Sequence, residues 1–160
     1  MIQPRHPLRI NVGFLLHASI GTYREIHFNY PTLKVPPDFE LDNFAGQVRL
    51  SRTPQGILFQ GEFSGSTPQL CVRCLADFVQ PLKASFDELY AFDERSVSDS
   101  GLILPEDGNV DLDDLVREYL LLEIPIKPLC RPNCKGLCAE CGIDLNTETC
   151  EHVRETQIEK

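Results

Sequence analysis

The sequence predicts an α+β protein: mainly antiparallel β-sheet or a partly open barrel, one C-terminal helix, and a small cysteine-rich zinc-binding tail. Three observations lead there. Residues 8–90 alternate apolar and polar side chains in short runs between Gly and Pro turns. A single strong helical period follows. Beyond Lys127, periodicity ends and Cys, Pro, Gly and Asn take over.

The strand candidates are Leu8–Val12, Arg24–Tyr30, Phe44–Leu50, Ile57–Phe63 and Val79–Tyr90. Thr53-Pro-Gln-Gly56 makes a turn, so Phe44–Leu50 and Ile57–Phe63 are expected to form a hairpin. Phe14–Ala18 reads as a single helical turn. Residues 93–109, rich in acidic, Ser and Gly residues, read as a mobile loop. The helix is expected over Asp111–Glu123. Asp111 would act as N-cap, Asp113 and Asp114 would face the positive end of the helix dipole, and Pro125 would stop it. Its stripe of Leu112, Leu115, Val116, Tyr119 and Leu122 is expected to cover the sheet. These elements give a β-rich domain over 1–126, with its covering helix at 111–123, and a cysteine-rich tail over 127–160.

Apolar residues make up 42% of the 160-residue chain, enough for a packed core, and the net charge is −9. That charge opposes non-specific nucleic-acid binding and makes DNA an unexpected partner, because phosphates need Lys and Arg to neutralise them. The longest apolar stretch in a helical pattern, Tyr119–Leu122, is too short for a bilayer. Residues 1–7 lack a signal-peptide layout. A cytoplasmic protein is therefore expected, with no membrane partner. In that compartment seven cysteines point to metal or redox chemistry, not to a disulfide framework.

Cys130, Cys134, Cys138, Cys141 and Cys150, followed by His152, crowd the tail, and Cys71-Val-Arg-Cys74 stands apart between strands. Zinc takes four thiolate or imidazole ligands in a tetrahedron. Cys138-Ala-Glu-Cys141-Gly142 has the two-residue spacing that points both sulfurs at one ion, with a glycine for the tight turn. Seven cysteines and His152 make eight ligands, two sets of four. Cys71, Cys74, Cys130 and Cys134 would form one site, and Cys138, Cys141, Cys150 and His152 the other. The rival arrangement is one ion on Cys130, Cys134, Cys138 and Cys141 with the remaining thiols free. Spacing alone leaves both open, so one or two structural ions are expected. A thioredoxin-like role for Cys71 and Cys74 would need a βαβ context and a helix N-terminus, and neither is visible. His6, His17, His27 and His152 are the only histidines, and none sits in a nucleophile–base pattern. No phosphate-cradling glycine loop occurs. The chain is not expected to be an enzyme.

Cys71-Val-Arg-Cys74-Leu75, Glu88-Leu-Tyr90, Asp111-Leu-Asp-Asp-Leu-Val-Arg-Glu118, Ile124-Pro-Ile-Lys-Pro-Leu-Cys130, the run from Cys134-Lys-Gly-Leu-Cys138 through Cys141-Gly-Ile-Asp-Leu-Asn146, and Cys150 together resemble the YceD family. The ordered match covers about Gly56 to Cys150, and the N-terminal third matches more loosely. These are bacterial and plastid proteins linked to accumulation of large-subunit ribosomal RNA. The resemblance implies a non-enzymatic ribosome biogenesis role, supporting synthesis, processing or accumulation of 23S ribosomal RNA, and a gene beside that of a large-subunit ribosomal protein. It implies ribosomal RNA, a large-subunit ribosomal protein or an assembly factor as partner. The alternative is a thiol-based redox or metal-binding regulatory protein using Cys71 and Cys74. Where the family pattern ends in Cys-x-Cys, this chain has Cys150-Glu-His152. The negative charge favours contact with a basic ribosomal protein. Arg73, Lys127, Arg131 and Lys135 form either a small RNA-contact patch or solvated charges offsetting anionic thiolate centres.

Overall fold

The computed structural model describes residues 5–155. The chain divides into two compact units: one formed by Met1–Ser66 and Pro81–Glu123, the other by Thr67–Gln80 and Ile124–Lys160. Most of the structure is antiparallel sheet, as the alternation predicts.

Four long strands, β2 (Tyr23–Val35), β3 (Phe39–Arg52), β4 (Gly56–Leu70) and β5 (Asp77–Ala91), run in the meander order β2-β3-β4-β5; the first unit holds all of them except Thr67–Leu70 of β4 and Asp77–Gln80 of β5. The expected hairpin is present, with Leu50 opposite Phe59 and Arg52 opposite Ile57. Thr53 closes its turn, exchanging hydrogen bonds with Gly56 through its hydroxyl and amide. A smaller sheet pairs β1 (Arg9–Asn11) with β6 (Asn109–Asp111). The helical turn foreseen at 14–18 is α1 (Gly13–Leu16).

Aromatic rings from successive strands stack across one sheet face. Phe28 meets Phe63, Phe63 meets Phe44 and Phe86, and Phe86 meets Tyr119 of α2 (Asp113–Leu122), with ring centroids 5.3–6.1 Å apart. Glycine makes room for this ladder: a Cβ on Gly61 would lie 2.7 Å from the Phe86 ring. The Tyr119 hydroxyl donates to Glu88 Oε1 at 2.6 Å. That hydrogen bond, with burial and the Glu88 charge behind it, pushes the phenol up to about 12.

Two details of α2 differ from expectation. The capping position is Leu112, which offers no side-chain cap; Asp111 instead ends β6 and accepts the Asp113 amide at 3.0 Å. The stripe closes on Leu120, which is fully buried, while Leu122 is 74% exposed. Leu122 lies on the same face as buried Leu115, seven residues earlier, but it is the last residue of the helix. The 93–109 segment is tied down at several points. Asp93 caps a 3-10 turn over Glu94–Ser96, Ile103 bridges Ala91, and Leu104 is buried. Among the described residues, no helix is long and apolar enough to cross a membrane.

Candidate metal centres

The second unit has little apolar matter to bury. Its core is Cys71, Cys74 and Cys134, with Phe78, Leu129, Cys130 and Leu137 packed around them. The eight candidate ligands fall into two groups of four, Cys71/Cys74/Cys130/Cys134 and Cys138/Cys141/Cys150/His152, with the ligand atoms of each group within 4.8 Å of one another. Of the two arrangements that spacing left open, the eight side chains gather in the two-by-four one. Cys130 and Cys134 stand with Cys71 and Cys74, not with Cys138 and Cys141.

Each group is anchored by a Cys-x-x-Cys knuckle, and the two knuckles repeat one hydrogen-bond scheme. In the first, the Cys71 amide donates to Ala76 O and the Leu75 amide to Cys71 O, both at 2.9 Å. In the second, the Cys138 amide donates to Ile143 O and the Gly142 amide to Cys138 O, again both at 2.9 Å. The residue after the second cysteine is left-handed in both, Gly142 at φ 75° and Leu75 at φ 60°. Glycine adopts this freely; a side chain there costs about 1–2 kcal/mol.

The same turns lower the leading thiol of each knuckle. Hydrogen bonding from the Cys74 backbone, then from Cys130 and Arg73, outweighs burial and brings Cys71 to about 6. The backbone of Cys141 and then of Glu140 does the same for Cys138, also to about 6. Burial, then Cys74, pushes Cys130 up to about 12, and burial, then Cys138, raises Cys150. Each cluster thus joins a thiol that favours its anion to one that resists a second uncompensated negative charge, a conflict that a central cation removes.

The spacing fits such an ion. Cys71 and Cys134 sulfurs are 3.7 Å apart, Cys74 and Cys130 3.6 Å, and Cys138 and Cys150 3.5 Å. His152 Nδ1 is 3.9 Å from the Cys138 sulfur. Disulfide sulfurs would lie about 2.05 Å apart. Metal–sulfur bonds of about 2.3 Å in a tetrahedron set sulfurs about 3.8 Å apart. Both groups can therefore hold metal ions.

The surroundings of the two groups differ. Cys71, Cys74 and Cys134 are at most 8% exposed, and their group joins segments 56 or more residues apart in sequence. In the second group Cys141 and His152 are exposed, and all four ligands fall within fifteen residues at the start of α3 (His152–Glu155) and the knuckle before it. A groove of about 440 Å³, lined by Leu137, Leu145 and Val153, opens onto Cys138 and His152.

Asn146 was not foreseen as part of the site. Its amide donates to the Cys134 sulfur at 3.3 Å, and its oxygen accepts the Lys135 amide at 2.9 Å. It thereby braces a ligand of the first group from the loop of the second, and it is the largest cause holding Cys134 low. Arg73 also has a structural part: its guanidinium donates to Cys134 O at 2.8 Å, and its carbonyl accepts the Leu137 amide.

An antiparallel meander with a thiolate-rich module of two four-ligand clusters defines the class of this protein. No solved structure matches it. The chain belongs to the YceD family: the model described as Large ribosomal RNA subunit accumulation protein YceD matches residues 59–160, which include every candidate ligand. An uncharacterized protein of Mycobacterium tuberculosis is 32% identical over 141 residues, covering 84% of this chain and 65% of the relative. The chain thus spans a little under two thirds of the length of that curated relative. A chloroplastic protein of Zea mays, named Large ribosomal RNA subunit accumulation protein YCED homolog 1, is 46% identical over 41 residues, 26% of this chain and 14% of the relative. The uncharacterized protein YlbN of Bacillus subtilis is 32% identical over 75 residues, 46% of this chain and 44% of the relative.

Proposed function

We propose that this chain is a non-enzymatic ribosome biogenesis factor that supports synthesis, processing or accumulation of 23S ribosomal RNA in the cytoplasm. It does so by contact with ribosomal RNA, a large-subunit ribosomal protein or an assembly factor. The observation that carries this reading is the family match over residues 59–160. The cysteine geometry supports a non-catalytic part for the metal. Four protein ligands per centre complete a tetrahedron and leave no position for water or substrate, whereas a catalytic zinc keeps one open. Tetrahedral thiolate and imidazole donors suit zinc, so the reading includes two structural zinc ions, one on Cys71, Cys74, Cys130 and Cys134, the other on Cys138, Cys141, Cys150 and His152. When bound, each ion supplies cross-links in place of an apolar core.

A redox role for Cys71 and Cys74 has less support. Their sulfurs face Cys134 and Cys130 respectively, and their turn leads into strand β5, not into a helix N-terminus. The test is depletion of the protein in its host cell, with mature and precursor 23S ribosomal RNA measured against 16S. The expected result is a selective fall in mature 23S that the intact gene restores. Unchanged 23S would contradict the proposal.

A further inference from the structure

Charge is distributed very unevenly along this acidic chain. Residues 87–123 hold twelve Asp and Glu against two Arg. Residues 67–80 and 124–137, which surround the first cysteine group, hold four cations, Arg73, Lys127, Arg131 and Lys135, against the single acid Asp77. Even four thiolates around a divalent ion, at −2, leave those segments net positive. All four cations are exposed, and among the described residues none pairs with a carboxylate. The contacts draw them around one knuckle. The Val72 amide donates to Pro128 O beside Lys127, and Leu137 and Cys134 bind Arg73 beside Lys135.

The tip of that knuckle is apolar and strained. Val72 is 50% exposed and Leu75 58%, and Leu75 holds a left-handed backbone that its twin, Gly142, adopts without strain. The second knuckle carries Ala139 and Glu140 where the first has Val72 and Arg73. Since both follow one hydrogen-bond scheme, the turn itself requires neither Val72 nor Leu75. A strained, solvent-facing leucine that the fold does not need marks a contact surface.

We infer that the first knuckle is a binding surface for single-stranded RNA, with Lys127, Arg131 and Lys135 holding phosphates and Val72 and Leu75 packing against unstacked base faces. This rests on the proposed function and names the surface through which it acts. A carboxylate-poor, cation-bearing surface accepts a polyanion, whereas the acidic run over residues 87–123 repels it. Single strands are the fitting class, because only unstacked bases offer flat apolar faces to side chains.

The test uses the full chain loaded with zinc and a fluorescein-labelled oligouridylate of about 12 nucleotides, with an RNA duplex of equal length beside it. Anisotropy is expected to show tighter binding to the single strand. Three cations on phosphates predict that affinity falls roughly 20-fold between about 50 and about 200 mM salt. The triple variant Lys127→Gln/Arg131→Gln/Lys135→Gln should lose at least about tenfold and flatten that salt slope while keeping its metal; Arg73 is left in place because it holds Cys134. Leu75→Gly should weaken binding yet raise Tm, opposite signs that a merely structural role would not give. Wild-type failure to bind the oligonucleotide overturns the inference, as does a metal-replete triple variant that binds normally. In depleted cells, a triple variant that fully restores 23S overturns the surface while leaving the proposed function standing. Absence of RNA binding together with a triple variant that fails in cells would assign the surface to a protein partner instead.

Discussion

The two units hold themselves together by different means. In the first, the ladder Phe28–Phe63–Phe86–Tyr119 and the buried Leu and Val side chains of β2–β5 provide a continuous apolar core. In the second, three cysteines are the buried core, and the turns around them are rich in Pro, Gly and Asn. Hydrophobic burial orders a segment only when there is enough to bury; otherwise cross-links must do it. The comparison predicts that the units respond oppositely to metal removal and to core mutation.

The largest effect is expected from a chelator strong enough to strip zinc. Backbone NMR signals of residues 67–80 and 124–150 should collapse to unfolded positions, while β2, β3 and α2 keep their dispersion. Uniform unfolding, or none, would break the comparison. In the reverse experiment, Phe63→Ala should cost the first unit about 3–5 kcal/mol in denaturant titration and leave metal stoichiometry unchanged. The third contrast lies between the two centres. Cys74→Ser should release one ion and loosen both segments it joins. Cys141→Ser should release the other ion and disturb chiefly the residues after Leu137, reaching Cys134 and Lys135 only through Asn146, because its group is local and exposed. Equal disorder from both substitutions would remove the distinction.

The smallest effect concerns the first unit alone. Burial, followed by the Asp111 charge, raises the Asp113 carboxyl to about 6. A carboxyl raised in the folded state binds its proton more tightly there. Its contribution is therefore full below about pH 4 and lost as pH rises through 6. Asp113→Asn should flatten that decline and stabilise the protein near pH 7 by about 1 kcal/mol, a figure discounted because the group is only half-buried. Denaturation midpoints at pH 4.5 and pH 7, taken as roughly the two ends of the titration, check it.

Much of both units was legible in the sequence, for separate reasons. Alternation locates a strand's faces, so Ile26 and Phe28, or Leu82 and Phe86, declared themselves. It does not locate strand ends. The expected strands stop at Tyr30 and Phe63, yet β2 and β4 run on through Pro31 and Pro68. Pro31 is tolerated because β2 is an edge strand, and Pro68 because the pairing of β4 with β3 ends at Ser66. Leu122 was misplaced because a stripe drawn from period alone ignores where the helix ends. In the cysteine unit, the count of eight donors pointed to the two groups, since ligand chemistry depends on residue type more than on fold. Asn146 and the left-handed Leu75 stayed hidden: one acts through a single sulfur contact, and the other departs from the glycine its geometry favours.

The central claim is that two separate ligand sets, one joining distant segments and one local, order the second unit. The most direct measurement is metal content of the purified full chain together with an anomalous-scattering map that locates each ion. The account predicts two zinc ions per chain, one among Cys71, Cys74, Cys130 and Cys134 and one among Cys138, Cys141, Cys150 and His152. A single ion, unaffected by Cys71→Ser, would contradict it.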